Sequence, residues 1–165
     1  MMNTKVQNAI NDQIAQEFFA SYLYLSMMIY FEGQSLGGFA HWMRMQAEEE
    51  RAHALKLLEF LIERGGRVEL QAIDKPAADF ESPLAVMQSA LAHEQKVTKR
   101  ITDLYELVVA ERDYPAQVML QWFITEQVEE EASAGAIVDQ LTLAGDSGST
   151  LLMLDAKLGQ RAGME

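Results

Sequence analysis

Four long segments of this chain carry apolar residues at alternating spacings of three and four, and an aperiodic stretch of about 16 residues separates the second segment from the third. A period near 3.6 gathers such residues on one helix face, so the sequence predicts four amphipathic helices that must bury their stripes against each other. The stripes run Ile10, Ile14, Glu17, Ser21, Tyr24, Met28, Phe31; then Phe39, Met43, Gln46, Glu50, His53, Leu57, Leu61; then Leu84, Met87, Leu91, Glu94, Thr98, Ile101, Tyr105, Val108; and last Ala116, Leu120, Phe123, Gln127, Glu130, Ala134, Ile137, Leu141. Only Pro76, Pro83 and Pro115 interrupt the chain, and little room is left for strands. The fold class is all-α.

Punctuation sets the helix limits. The first helix covers about 4–32 and breaks at Gly33; the second covers about 36–64 and stops at Gly65-Gly66, with Arg64 in its last turn. Ser82-Pro83 starts a third helix of about 83–112, Asp113-Tyr114-Pro115 a fourth of about 115–144, and a short apolar fifth covers about 149–160. The chain reads as one domain over 1–165. The segment RVELQAIDKPAADFES between helices two and three is too long for an ordinary bundle turn. A helix of about 28 residues is roughly 42 Å long, and about 16 extended residues reach roughly 53 Å. The connection can therefore cross the whole bundle, which makes helices two and three parallel, with two hairpins joined by one crossover.

Each stripe carries a polar residue near mid-length, where a core residue belongs. If the first turn centres near Gly33, Glu17 and Glu50 face each other; if the second centres near Asp113, Glu94 and Glu130 do the same. All four then share one layer. An unpaired carboxylate moved out of water costs several kcal/mol, on the order of 2–7 for an uncompensated polar group, so four intrusions at one depth call for a shared cation. Glu50 and His53 form the only ExxH of the chain and can reach one ion from one face, while Glu50 can also bridge to a second. By itself ExxH is a weak motif, better read as a satisfied core histidine beside a partly exposed acid; Glu17, Glu94 and Glu130 at matching depth reverse that reading. No cysteine is present, so oxygen and imidazole must hold any metal, a set that suits iron or manganese better than structural zinc.

Half the residues are apolar and the formal net charge is −12. That charge argues against nucleic acid and anionic membranes as partners and favours cations. No export signal and no run of 18 apolar residues is found, which makes a cytoplasmic protein the default.

The set Glu17, Glu50, His53, Glu94, Gln127 and Glu130, with QEFFASYLYL, AEEERAHALK and EQVEEE around it and a short fifth helix, resembles the ferritin family over essentially the whole chain. A symmetric di-iron site would carry a second ExxH on helix four, and here Gln127 and Glu130 stand there. Ala52 also stands where a bacterioferritin would offer a haem-ligating methionine. The resemblance is therefore to non-haem, prokaryotic-type ferritins, and no haem is expected. It implies that Glu17, Glu50 and His53 hold one iron, that Glu50, Glu94 and Glu130 hold the other, and that Gln127 sits beside them. It further implies a third iron site from Glu49, Glu126 and Glu129 sharing Glu130, although these acids could equally form a solvated face. Tyr24, seven residues after Glu17, could donate an electron, bond a ligand or simply pack. The family resemblance implies a homo-oligomeric shell of 24 subunits that oxidises Fe(II) with O2 or H2O2 and stores the ferric product. A rubrerythrin-like peroxidase or a manganese enzyme without a shell is the alternative. Trp122, His41, His93 and the ten methionines are expected to pack or to face solvent.

Overall fold

The structure, a computed structural model, describes residues 2–163. Five helices follow in order: α1 (Thr4–Gly33), α2 (Gly37–Glu63), α3 (Pro83–Ala110), α4 (Tyr114–Ala144) and α5 (Gly148–Leu158). There is no strand among the described residues, and no helix is long and apolar enough to cross a membrane.

Side-chain chemistry sets both ends of these helices. Asn3, Ser82, Asp113 and Ser147 each accept a backbone N–H of the first turn of α1, α3, α4 and α5 respectively, satisfying donors that a helix leaves free. The first three helices stop alike. A residue two positions past the last helical one takes a left-handed conformation, and the next N–H reaches five residues back: Leu36 to Phe31, Gly66 to Leu61 and Asp113 to Val108. The left-handed residue is Gly65 after α2 but Ser35 after α1 and Arg112 after α3. The first helix thus ends at Gly33, where the sequence places its break, while the left-handed turn residue after it is Ser35.

The two hairpins lie in the orientation that the long connection predicts. One apolar cluster joins Met27, Phe31, Phe39, Met43, Met87 and Ile137; the other joins Ile10, Leu57, Leu61, Val108, Ala116 and Leu120. The N-terminal halves of α2 and α3 therefore share one end of the bundle, so these helices are parallel and a crossover must join them. The crossover runs along α1. Asn11, buried in α1, donates to the Arg67 carbonyl at 2.9 Å and accepts the Glu69 N–H at 2.8 Å. Farther on, Ser26 donates to the Ala77 carbonyl and Phe80 packs on Tyr30.

The stripes of α2 and α4 are buried throughout. In α3 the deep column is Val86, Met87, Ala90, Glu94, Val97, Ile101, Leu104 and Val108, whereas Leu91, Thr98 and Tyr105 lie only partly buried. The inward column of α3 is thus offset by one position at Ala90, Val97 and Leu104 from the column the sequence suggests. Helix α5 folds back on α2 and α4, burying Leu154 and Leu158. It comes so close that a Cβ at Gly38 would overlap the Asp155 carbonyl. In return Asp155 Oδ1 accepts the Phe39 N–H at 2.9 Å, capping α2, whose own Leu36 has no capping side chain.

Candidate metal centre

Between the two apolar clusters lies one polar layer, built from the middle of four helices. Glu17 of α1, Gln46, Glu50 and His53 of α2, Glu94 of α3, and Gln127 and Glu130 of α4 are all buried there. Glu50 and Glu94 are wholly inaccessible. The register follows from hairpin geometry, since residues equally far from a turn face each other.

Three of these residues form a ready ligand set. One ligand atom each from Glu17, Glu50 and His53 lies within 4.8 Å of the others, and His53 Nδ1 is 3.4 Å from Glu50 Oε2. A second set within the same limit is His53, Glu126 and Glu130. Glu94 belongs to neither: Tyr24 donates its hydroxyl to one carboxylate oxygen, and Gln127 Nε2 approaches the other at 3.2 Å. The same Gln127 nitrogen lies 3.3 Å from the Glu94 carbonyl and 3.2 Å from Thr98 Oγ1. Glu129 is exposed, and Glu49 makes an ion pair with Arg161 at 2.6 Å. Thus Glu17, Glu50 and His53 come together directly, Glu94 is held by neutral donors, and of the outer acids Glu126 joins a ligand set while Glu49 and Glu129 do not.

Two amides that the sequence places only within the stripe or beside it serve this layer. Gln13 donates to Glu17 Oε1 at 2.7 Å from one turn earlier in α1, and Gln46 donates to Glu130 Oε2 at 2.8 Å across the bundle. Gln13 was open to detection as a polar residue at i−4 from Glu17 on the same face; Gln46 lay in the stripe, but its partner is 84 residues away. Trp122 and Phe123 wall His53 on its outer side, with ring centroids at 5.3 and 5.8 Å. His93 packs edge-on against Tyr24 rather than joining the layer, and His41 bonds the Arg161 carbonyl.

Donors are therefore present for half of the eight oxygens of Glu17, Glu50, Glu94 and Glu130, and where they are missing is informative. Glu17 Oε2 and both oxygens of Glu50 are buried with no hydrogen-bond partner. Such orphaned acceptors are rare and costly, and a cation is the partner that would satisfy all three at once. Oxygen-rich donors with one imidazole fit iron or manganese. Electrostatics says the same. Burial, reinforced by the neighbouring Glu50, pushes the Glu17 carboxyl well above its ordinary range. Burial and then Glu94 do the same to Glu50, and Glu130 rises to about 7 by burial and the Glu94 charge, against the pull of Gln46. Burial raises Glu94 too, though Tyr24 and Gln127 oppose it. Without a cation these acids favour protons at neutral pH, so metal and protons compete for one site.

The Ferritin family model, a ferritin-like domain, matches residues 7–144. The chain is also 44% identical to the bacterial non-heme ferritin of Bacteroides fragilis (strain 638R), with 98% of this chain and 100% of that protein aligned. The chain belongs to the ferritin family. A bacterial non-heme ferritin of Staphylococcus aureus (strain MRSA252) is 37% identical over 98% of this chain and 97% of its own length. Among solved ferritins, a closed form of the Archaeoglobus fulgidus protein engineered by mutagenesis superposes with a TM-score of 0.98 at 45% identity, covering 99% of this chain and all of that one. The open-pore ferritin of the same archaeon superposes at 0.97 with 46% identity, over 98% of this chain and all of that one.

Proposed function

We propose that this ferritin binds Fe(II) at Glu17, Glu50, His53, Glu94 and Glu130, oxidises it there, and stores the ferric product in a homo-oligomeric shell. The observation that carries the reading is the trio of orphaned oxygens, Glu17 Oε2 and both oxygens of Glu50, beside His53. Glu17 and His53 offer one oxygen and one nitrogen to the first iron. Glu50, with both oxygens free, would bridge to the second, whose further ligands in this reading are Glu94 and Glu130. Two ferrous ions held together can give two electrons to one molecule of O2 or H2O2.

The chain's own groups then act around the metals. Tyr24 and Gln127 fix the orientation of Glu94, Gln13 that of Glu17, and Gln46 that of Glu130, so ligands are aimed before metal arrives. Such outer partners are typically worth about 10- to 100-fold in metal affinity. Burial pushes the Tyr24 phenol well above its ordinary range, with the Glu94 and Glu50 charges adding to it, so Tyr24 acts as a proton donor to Glu94. Trp122 and Phe123 keep His53 in place.

A third iron is assigned to Glu49, Glu126 and Glu129 with Glu130. The support is that Glu126 shares its ligand set with Glu130 and His53. A shell of 24 subunits fits the exposed apolar face of α5, where Leu152 and Met153 stand 62% and 74% exposed. The reading places the protein in the cytoplasm, in keeping with a chain whose folding needs no disulfide.

The deciding experiment adds Fe(II) aerobically to metal-free protein and follows ferric absorbance together with particle mass. Glu50→Ala should slow the initial rate on the order of a hundredfold. Wild-type rates in that variant would refute this centre.

A further inference from the structure

Past α5 the chain lays its last described residues along α2, and Arg161 is fixed there from four sides. Its guanidinium donates to Glu49 Oε2 at 2.6 Å and approaches the Trp42 carbonyl at 3.4 Å. It also stacks over the Trp42 ring, 4.9 Å from the centroid, while its own carbonyl bonds His41 Nε2 at 2.7 Å. Both charged side chains are about three-quarters buried, at 23% and 28% exposure. An arginine held by stacking as well as by an ion pair is more than a loose surface contact.

The partner it has chosen is significant. Glu49 precedes the bridging Glu50 and lies near enough for its charge to raise the carboxyls of both Glu50 and Glu130. In the third-site reading, a metal ion drawing on Glu130 and Glu126 from the outer side takes Glu49 as well, and in this structure a guanidinium already pairs with that carboxylate.

We propose that Arg161 is a built-in counter-cation that closes the Glu49 corner and makes entry of a third divalent ion at Glu49, Glu126, Glu129 and Glu130 a displacement rather than a simple binding step. The inference rests on the third-site reading above. It makes the C-terminal tail, outside the metal layer, the element that sets how readily the third position fills relative to the first two. Filling it swings Arg161 off Glu49 and leaves Trp42 uncovered.

Anaerobic calorimetric titration of the full-length, metal-free protein with Fe(II), and separately with redox-inert Zn(II), tests this. Two strong sites per chain and a weaker third are expected in the wild type. Arg161→Gln should tighten the third step alone by about fivefold, the scale of a partly exposed ion pair. Arg161→Lys, which keeps the charge but not the fork or the stack, should fall between. Lys157→Gln, an equal change in net charge on exposed α5, should leave the third step unmoved; if it tightens that step as much as Arg161→Gln does, the specific lock is wrong. Glu49→Gln separates the two ideas. If it leaves the third step intact, the third-site reading fails and the lock falls with it; if it abolishes that step while Arg161→Gln changes nothing, the site stands and the lock is refuted. A crystal structure of the wild type with excess Zn(II) should show Arg161 displaced from Glu49, and a third ion bound with that pair unbroken would overturn the proposal.

Discussion

Glu50 stands apart from the other carboxylates because no neighbour donates to it, whereas Glu17, Glu94 and Glu130 each have a neutral donor. A group so placed is stable in the fold only when protonated or metal-bound, and this makes stability without metal depend on pH. Glu130 shows the sign. Its carboxyl is held near 7 in the fold against an ordinary 4.5, so between those values the unfolded chain sheds a proton that the native one keeps. Stability of the metal-free protein is then lost as pH rises through that window, with a slope of up to about 1.4 kcal/mol per pH unit. His93 acts oppositely. Burial, helped by Lys96 and Arg100, lowers it to about 4 from 6.5, so its contribution is present above 6.5 and lost as pH falls toward 4. Glu130→Gln isolates the first effect: the difference in unfolding free energy between variant and wild type should grow in the variant's favour from pH 4.5 to 7, as read by denaturant melts. A flat difference would place the Glu130 proton elsewhere. Tyr24→Phe strips the hydroxyl from Glu94, and should cost the metal-free protein about 1–3 kcal/mol. The loss in Zn(II)-loaded protein should be smaller, because the ion takes over that oxygen.

At the scale of elements, the left-handed residues at Ser35 and Arg112 carry strain that Gly65 does not. A non-glycine residue there gives up about 1 kcal/mol or more. Arg112→Gly should therefore raise the melting temperature, and a drop would mean that the arginine side chain contributes more than its backbone loses. The cap that Asp155 lends to α2 ties α5 to the bundle across 116 residues of sequence. Asp155→Ala should cost about 1 kcal/mol, and should speed amide exchange in α5 and the first turn of α2 together. Helix periodicity was the readable part of this level: the stripes of α2 and α4 lie buried from end to end. In α3 the inward column takes Ala90, Val97 and Leu104 in place of Leu91, Thr98 and Tyr105, and alternating spacings of three and four are met equally well by either set. The Asp155 cap and the Asn11 clasp on the crossover were illegible, since one polar side chain meeting a distant backbone leaves no periodic trace.

Over the whole molecule, two apolar ends enclose one polar layer, and α5 offers an apolar face to solvent. Leu143 near the end of α4, 87% exposed, lines one cleft with Met153 of α5, 74% exposed, an apolar patch that a neighbouring copy would cover. Met153→Asp should keep the helical circular dichroism of the bundle while shifting the particle toward low mass in sedimentation. A full-size particle in that variant would remove α5 from the assembly contacts.

Sequence alone determined the helical class, the crossover and the depth of Glu17, Glu50, Glu94 and Glu130. Those depend only on period, loop reach and distance from each turn, which are one-dimensional quantities. Tertiary structure alone decided which oxygens are satisfied and which are free. Gln46 meeting Glu130, Tyr24 meeting Glu94 and Arg161 meeting Glu49 are pairings between residues 70 to 112 positions apart. Hydrogen bonds act over about 3 Å, and no spacing along the chain encodes which distant side chains will come that close.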